Sequence, residues 1–278
     1  MTIDEIISLA LSEDIGNGDH TSLSTIPASA TGKARLLVKE NGVLCGVEIA
    51  KKVFFQVDPS IKVKVFMEDG SPIRKGDIVF EAEGPSVSLL TAERTLLNFM
   101  QRMSGIATQT RQLAEAIGNL PTRILDTRKT TPLLREIEKL AVRTGGGYNH
   151  RFGLYDMILI KDNHVDFAGG IENAIRATHA YLDAKGLNLK IEIETRNLEE
   201  VAEVLKTGGI DRIMLDNFSF ELLKKAVQLI GSRYETEASG GITLETIRQY
   251  AECGVDFVSV GSLTHHISSL DLSLKAVK

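Results

Sequence analysis

The chain has 278 residues, of which 37 are acidic and 32 basic, giving a formal net charge of −5. This length suits one large or two modest domains, and the acidic balance argues against a general nucleic-acid-binding surface. No apolar run is long enough to cross a bilayer, and the N-terminus carries acids where a signal peptide carries bases, so we expect a soluble cytoplasmic protein without membrane contact.

The first third of the chain predicts a helix followed by a small sheet. Residues 3–11 place isoleucine and leucine side chains on one helical face. Residues 31–83 hold short segments of strand composition separated by Asn-Gly, Asp-Pro and Asp-Gly turns. This part therefore predicts a mostly antiparallel β unit.

A helical stretch follows at residues 91–118, where leucine, methionine and isoleucine recur with helical spacing. Ser104 and Gly105 are a candidate break in this stretch. Arg94 and Arg102 are its cations, and the simplest expectation is that both face solvent.

From residue 122 onward, short apolar strand segments alternate with amphipathic helices. N-cap residues mark several helix starts, among them Asn197 with Glu200 three residues later, Ser219 and Thr243. Alternation of this kind with buried strands predicts a parallel sheet. The lack of a long interruption and of a Gly-x-Gly-x-x-Gly motif favours a closed β/α barrel over a doubly wound sheet.

Polar and glycine residues follow each predicted barrel strand. Active sites of such barrels lie at the carboxyl ends of the strands, so these residues are candidates for one shared site. They are Asp126, Arg128, Lys129, Lys161, Asp162, Asn163, Glu194, Asp216, Asn217, Ser239, Gly240, Gly241, Gly261 and Ser262.

The last two strand ends are typical of phosphate binding. Residues 239–241 and residues 261–262 are glycine-containing loops, and barrels commonly bind phosphate through backbone N–H groups at these places. His265 follows shortly and is a candidate donor to the same phosphate. The alternative is that the glycines only form tight turns and that His265 packs under the barrel.

Cations collect around the first two barrel strands. Arg128, Lys129, Arg151 and Lys161 with His150 form an expected pocket for a small polyanion, because arginine forks match carboxylates and lysines act as point charges. The cations of the intervening helix are expected to be solvated, namely Arg135, Lys139 and Arg143.

Glu194 and Asp216 stand at neighbouring strand ends amid these cations. Carboxylates in this position suggest Mg²⁺ that accompanies a phosphorylated substrate, or hydrogen bonds to sugar hydroxyls. The alternative is salt bridges to Lys161 or Arg128, and both interpretations are compatible in an empty site.

Short motifs connect the chain with a known family. It reads D-T-R-K-T, T-G-G-G-Y-N-H-R, L-I-K-D-N-H, E-I-E-T, M-L-D-N, S-G-G and V-G-S-L-T-H in order, preceded by E-D-I-G-N-G-D-H-T-S and L-T-A-E-R-T-L-L-N. Together these motifs resemble the quinolinate phosphoribosyltransferase family, also called nicotinate-nucleotide pyrophosphorylase (carboxylating). One departure is Leu133, where the family often has glycine after the proline of D-T-R-K-T-x-P; we expect it to affect the helix start and no ligand.

The resemblance implies two domains: an N-terminal α/β sandwich with a mostly antiparallel sheet at residues 1–104, and an incomplete, seven-stranded β/α barrel at residues 105–265. The tail at 266–278 would pack back on the sandwich. It implies a pentosyltransferase of NAD biosynthesis that converts quinolinate and phosphoribosyl pyrophosphate into nicotinate mononucleotide, pyrophosphate and CO₂. It also implies Mg²⁺ with phosphoribosyl pyrophosphate, no tightly bound organic cofactor, and a homodimer or a hexamer.

Family roles carry over onto the matching residues of this chain. Quinolinate would be bound by Arg94 from the adjacent subunit, Arg128, His150, Arg151 and Lys161. Phosphoribosyl pyrophosphate would be bound by Lys129, Glu194, Asp216, Ser239, Gly240, Gly261 and His265. The resemblance implies catalytic roles for Lys129, Lys161, Glu194 and Asp216, the last two beside Mg²⁺ directly or through water.

Four other functions stay open on the sequence. One is a Schiff-base barrel with Lys161 as the amine. A second is a related molybdenum-transport-associated paralogue, a third is a nicotinate-specific phosphoribosyltransferase, and a fourth is a non-catalytic protein that binds phosphate ligands. Release of pyrophosphate from phosphoribosyl pyrophosphate with quinolinate separates these possibilities.

Overall fold

The computed structural model describes residues 1–277, and the chain divides into two compact units. The sandwich unit consists of Met1–Arg111, Thr130–Gly146 and the described chain from Ser262 onward. The barrel unit consists of Gln112–Lys129 and Gly147–Gly261. The domain limits expected from the sequence, at residues 104 and 265, stay predictions.

The sandwich unit contains a four-stranded antiparallel sheet. Its strands are β1 (Thr31–Val38), β3 (Lys62–Val65), β5 (Ile78–Pro85) and β12 (Leu272–Val277). Their order is β12-β1-β5-β3, so the last strand of the chain pairs with the first. Strands β2 (Gly42–Val43) and β4 (Pro72–Ile73) form a separate two-stranded sheet. The mostly antiparallel unit predicted over residues 31–83 is therefore confirmed.

Helices accompany this sheet, and the first shows why it starts where it does. Thr2 and Glu5 form a capping box, in which each side chain accepts from the other's backbone N–H. The helices are α1 (Ile3–Ile15), α2 (His20–Thr25), α3 (Val47–Val57), α4 (Ser86–Ile117), α5 (Arg135–Gly145) and α11 (Ser262–His265).

Helix α4 is continuous over 32 residues, so the break expected at Ser104 and Gly105 is wrong. Ser104 Oγ accepts from the Cys45 N–H at 2.9 Å and donates to the Cys45 carbonyl at 3.1 Å. A Cβ on Gly105 would meet the carbonyl of Ser268. Both residues thus serve close packing against other segments. Within residues 1–277, no helix is long and apolar enough to cross a membrane.

The barrel unit contains a six-stranded parallel sheet. Its strands are β6 (Arg123–Leu125), β7 (Ile158–Ile160), β8 (Ile191–Thr195), β9 (Arg212–Asp216), β10 (Glu235–Ser239) and β11 (Phe257–Ser259). Their order is β6-β11-β10-β9-β8-β7, and a single parallel bridge from Leu125 to Tyr148 extends the β6 edge by a seventh segment. All five residues of β8 are buried, as expected when both faces of a strand are covered. The predicted α/β fold with an incomplete barrel is confirmed.

Helices connect these strands. They are α6 (Asp162–Ala168), α7 (Ile171–Lys185), α8 (Leu198–Thr207), α9 (Phe220–Ile230) and α10 (Ile247–Ala251). Asn197 and Ser219 cap α8 and α9 through their side chains, as predicted. Thr243 was expected to cap the next helix, but α10 begins four residues later because the Thr246 hydroxyl accepts from the Thr243 N–H and forms a turn first.

Candidate active site

The carboxyl ends of three adjacent strands bring Glu194, Asp216 and Ser239 to one edge of the parallel sheet. Asp216 and Ser239 are direct partners in the β9–β10 register, and Ser239 Oγ donates to Asp216 Oδ1 at 2.6 Å. Asn217 Nδ2 donates to the other carboxylate oxygen, also at 2.6 Å. Two donors therefore fix the plane of the Asp216 carboxylate at a half-buried position.

Lys161 and Glu194 form an ion pair at the same edge. Lys161 Nζ lies 2.5 Å from Glu194 Oε2, with the lysine side chain 45% and the glutamate side chain 10% exposed. The salt bridge weighed as an alternative for Glu194 is therefore present. Asp216 instead receives its described hydrogen bonds from neutral side chains.

Arg128 and Arg151 place positive charge beside this edge. Arg151 Nη1 donates to the Met157 carbonyl at 3.1 Å, which holds the guanidinium against the segment before β7. Burial lowers the pKa of Arg151, and the nearby charge of Arg128 lowers it further. A second guanidinium beside Arg151 favours binding of an anion there.

Asp126 organises the segment that leads to Arg151 and is itself fully buried. Its Oδ1 accepts from the His150 N–H at 2.8 Å, and its Oδ2 accepts from Asn149 Nδ2 at 2.5 Å. The Tyr148 N–H meanwhile donates to the Ile124 carbonyl, and the Tyr148 carbonyl accepts from the Asp126 N–H. Asp126 therefore acts on the shape of the 148–150 segment.

The His150 ring is buried and bonded within the protein. Its Nδ1 accepts the Arg151 backbone N–H at 2.7 Å, and its Nε2 lies 2.9 Å from Glu192 Oε2 and 3.6 Å from Glu237 Oε2. Because Nδ1 is an acceptor, the neutral ring carries its proton on Nε2. His150, Glu192 and Glu237 each offer one ligand atom within 4.8 Å of the others, and a metal ion bound there would displace the Nε2 proton.

Glu192, Glu237 and Arg212 form a charged layer inside the barrel that the sequence analysis missed. Arg212 Nη1 donates to Glu237 Oε2 at 3.0 Å. Burial raises the pKa of Glu192 to about 7 and that of Glu237 to about 8, the second helped by the charge of Glu192. The signal was the period of two in I-E-I-E-T, which places Glu192 on the same strand face as Glu194.

Gly240 has a structural requirement of its own. Its φ is +100°, and a Cβ there would overlap the Asn217 side chain that orients Asp216. This is the tight-turn role weighed for the glycine loops. Gly261 follows β11 and is half-buried. Their contacts with a phosphate stay predictions.

The remaining predicted residues are exposed or belong to the sandwich unit. Lys129 follows β6 and is exposed. Arg94 is exposed on α4, and His265 is exposed at the end of α11. Both lie in the sandwich unit, so their roles stay predictions.

Two sandwich cations differ from expectation. Lys139 was expected to be solvated but is only 2% exposed. Arg102 donates to Glu138 Oε1 at 2.6 Å, to Thr131 Oγ1 at 2.7 Å and to the Thr264 carbonyl at 3.1 Å. Helical spacing does not reveal such partners, because they come from other segments of the chain.

Taken together, the barrel unit defines a class of protein: a β/α-barrel protein with cations and carboxylates gathered at the strand ends, an arrangement suited to a small polyanion. Two family models refine this class. Quinolinate phosphoribosyl transferase, N-terminal domain, matches residues 19–104, and Quinolinate phosphoribosyl transferase, C-terminal domain, matches residues 106–275.

Relatives agree with these matches. The chain is 48% identical over 285 residues to the chloroplastic nicotinate-nucleotide pyrophosphorylase (carboxylating) of Arabidopsis thaliana, covering 97% of this chain and 81% of that protein. It is 42% identical over 262 residues to the probable nicotinate-nucleotide pyrophosphorylase (carboxylating) of Bacillus subtilis (strain 168), covering 94% and 89%. The crystal structure of NadC from Streptococcus pyogenes shares 40% identity and a TM-score of 0.94, covering 99% and 97%. The chain belongs to the quinolinate phosphoribosyltransferase family.

Proposed function

We propose that this protein transfers phosphoribose to quinolinate with decarboxylation, giving nicotinate mononucleotide, pyrophosphate and CO₂ for NAD biosynthesis. The observation that supports it best is the ion pair of Lys161 with Glu194. It places a cation suited to a carboxylate substrate against an acid suited to a sugar, at one barrel edge. The names of the relatives support the same reaction.

Quinolinate is a dianion, so its pocket needs several cations. Arg128, Arg151 and Lys161 supply them, and the buried His150 directly precedes Arg151. Charge-assisted hydrogen bonds contribute about 1.5–3 kcal/mol each, so three can select a ligand with little apolar surface. Arg151 is the residue we expect to be most specific for quinolinate, because its guanidinium is already held by the Met157 carbonyl.

Phosphoribosyl pyrophosphate would occupy the neighbouring strand ends. Glu194 and Asp216 would face the ribose hydroxyls, Ser239, Gly240 and Gly261 with His265 would hold the 5′-phosphate, and Lys129 would lie near the leaving pyrophosphate. The two carboxylates offer hard oxygen donors on adjacent strands, which fits Mg²⁺ bound together with a diphosphate. When bound, Mg²⁺ would neutralise charge on the departing pyrophosphate.

The chemistry asks the protein for position and charge. The quinolinate ring nitrogen attacks the anomeric carbon, and the bond to pyrophosphate breaks. Glu194 and Asp216 stabilise the positive charge that develops on the ribose. The bond from C2 to its carboxylate then breaks, CO₂ leaves, and the electron pair left on C2, stabilised by the quaternary nitrogen, takes up a proton. No protein nucleophile is needed.

We also propose that Arg94 acts in the site of an adjacent subunit of a homodimer, or of a hexamer built from such dimers. Its exposure on α4 is compatible with reaching a partner. Mixing Arg94→Ala protein with Lys161→Ala protein should restore activity once subunits exchange, because one site then regains both residues. No restoration despite demonstrated exchange would refute a shared site. The cytoplasmic location stays a prediction, since several plant relatives carry mitochondrial or chloroplastic in their names.

The decisive experiment mixes the protein with phosphoribosyl pyrophosphate, Mg²⁺ and quinolinate and measures pyrophosphate and CO₂. Both products are expected in equal amounts. Release of pyrophosphate with nicotinate but not with quinolinate would overturn the assigned substrate and would still indicate a phosphoribosyltransferase. Borohydride trapping of a carbonyl compound on Lys161 would instead indicate Schiff-base chemistry. No release with either acid would leave a binding protein.

A further inference from the structure

The barrel interior has two layers of polar residues, and only the upper one takes part in the proposed reaction. Glu192 and Glu194 lie two residues apart on β8, as do Glu237 and Ser239 on β10, so each pair shares a strand face. Glu192 pairs in register with Arg212. In register Arg212 lies beside Glu192 and Glu235, and its Nη1 reaches Glu237, which pairs with Met214. We define the lower layer as Glu192, Arg212 and Glu237, which lie below Glu194, Asp216 and Ser239 on their strands.

This lower layer meets inside the barrel and not along the sheet. Strand β9 lies between β8 and β10. Even so, the charge of Glu192 helps burial to raise the pKa of Glu237, and both carboxylates approach the same His150 nitrogen. Both glutamates are 0% exposed. Burying two acids without water is costly unless cations or donors compensate them, and Arg212 and His150 are the compensating groups here.

His150 connects this layer to the substrate edge. Its Nε2 side contacts Glu192, while its Nδ1 accepts the backbone N–H of Arg151. Asp126 fixes the same residue from the backbone side by accepting the His150 N–H. A ring flip or a change of tautomer would break the bond to Arg151, since a protonated Nδ1 cannot accept.

We propose that Glu192 and Glu237 are positioning residues for the quinolinate half of the site, holding the His150 ring in its Nε2–H tautomer so that Nδ1 fixes the backbone of Arg151. The proposal rests on the proposed function, because it assigns Arg151 to quinolinate. The Glu192 carboxylate is the nearer acidic group, 2.9 Å from Nε2, while the Glu237 carboxylate lies at 3.6 Å and accepts from Arg212. The role of His150 is then to orient Arg151, which is expected to bind quinolinate.

The first test reads the tautomer in the wild-type protein and needs no activity. Two-bond ¹H–¹⁵N correlation spectra distinguish Nε2–H, Nδ1–H and doubly protonated rings, and a His150→Gln variant identifies the signals of His150. The Nε2–H form is expected. An Nδ1–H ring or a doubly protonated ring at neutral pH would overturn the proposal.

The second test uses graded changes at Glu192. Glu192→Gln keeps an acceptor oxygen for Nε2–H and should raise the quinolinate KM no more than about threefold. Glu192→Leu removes the acceptor and should raise it tenfold or more, with the phosphoribosyl pyrophosphate KM within twofold of wild type and the Nε2–H signal lost. Glu237→Gln should behave like Glu192→Gln.

The matched control is Glu235→Gln on β10, whose carboxylate contacts Arg212 at 2.9 Å and whose side chain is 41% exposed. It should leave both KM values and the His150 signals unchanged. Equal losses for both substrates, or an unchanged quinolinate KM in a folded Glu192→Leu protein, would contradict a positioning role. If Glu192→Leu does not fold, the Glu192→Gln and Glu237→Gln variants test the proposal. Loss of the Nε2–H signal in them with an unchanged quinolinate KM would contradict a positioning role. Wild-type protein inactive with quinolinate would count against the proposed function and leave the tautomer test valid.

Discussion

Lys161 Nζ lies 2.5 Å from Glu194 Oε2, so a cation expected to bind the acid substrate is paired with a carboxylate expected to bind the sugar. The ion pair must break, at least in part, when the two substrates bind. Under the proposed roles, the pair couples the two halves of the site before either ligand is present.

Replacing Glu194 by Gln should separate the two binding steps. Without its partner Lys161 is free for quinolinate, so quinolinate alone should bind about fivefold more tightly, which corresponds to about 1 kcal/mol for a partly exposed pair. Phosphoribosyl pyrophosphate should bind more weakly. Calorimetry with each ligand alone measures both changes. Glu199→Gln, an exposed glutamate on α8, is the control, and weaker quinolinate binding in Glu194→Gln would refute the coupling.

Gly240→Ala should disturb the sugar half through the Asp216 carboxylate. At φ +100° a side chain is strained, and its Cβ would meet the Asn217 side chain that donates to Asp216. We expect a loss of about 2–3 kcal/mol in the free energy of unfolding and weaker binding of phosphoribosyl pyrophosphate. Gly241→Ala is the matched control, because its φ is +59° and nothing lies within 4 Å of the added Cβ. It should cost only about 1 kcal/mol; equal losses would exclude a specific effect on Asn217.

Leu133 is the departure from the family motif, and its φ is +69°. Leucine in this conformation costs about 1–2 kcal/mol, which explains why glycine suits the position. Leu133→Gly should stabilise the protein by about 0.5–1 kcal/mol, since the gain is partly offset by the larger freedom of glycine in the unfolded chain. Leu134→Gly, where φ is −90°, should destabilise it. Urea unfolding of both variants provides the measurement, and a destabilised Leu133→Gly protein would contradict the strain.

Arg102 is the only cation that the described contacts place on the Glu138 carboxylate, a side chain that is 0% exposed. Arg102→Met should cost about 3–5 kcal/mol, because a buried charge loses its partner. The double variant with Glu138→Gln should recover part of this loss, since the charge is then gone. Arg74→Met, an exposed arginine of the same unit, is the control and should be near neutral. Thermal unfolding decides, and a neutral Arg102→Met would show that the pair contributes little.

The pH dependence of stability should reveal the buried Glu237. Burial raises its pKa to about 8 from an ordinary value of 4.5, so between these values the folded state holds a proton that the unfolded state has released. Its contribution is therefore complete below about pH 4.5 and is lost as the pH rises through about 8. The free energy of unfolding should fall over this window, and Glu237→Gln should flatten the fall. Glu203→Gln on α8 is an exposed control; parallel curves for wild type and Glu237→Gln would contradict the assignment.

Much of the fold could be predicted from local patterns. Short, largely apolar segments identified the barrel strands, and caps such as Asn197 and Ser219 marked helix starts, because both signals arise within a few residues of chain. The predicted cap at Thr243 is wrong, because the Thr243 N–H donates to the Thr246 hydroxyl and forms a turn before the helix begins at Ile247.

The sequence by itself determined the family, the two kinds of sheet and which strand ends carry charge, since motif spacing and alternation are local properties. Only the tertiary structure decided which charges are buried and with whom. Arg102 meets Glu138 from 36 residues away, and Glu192 meets His150 only because the parallel sheet curves its polar faces inward. A buried charge is stable only beside a partner, and such partners are set by the packing of distant segments. For Lys161 and Glu194 the sequence identified both residues, and the pairing of β7 with β8 brought them together.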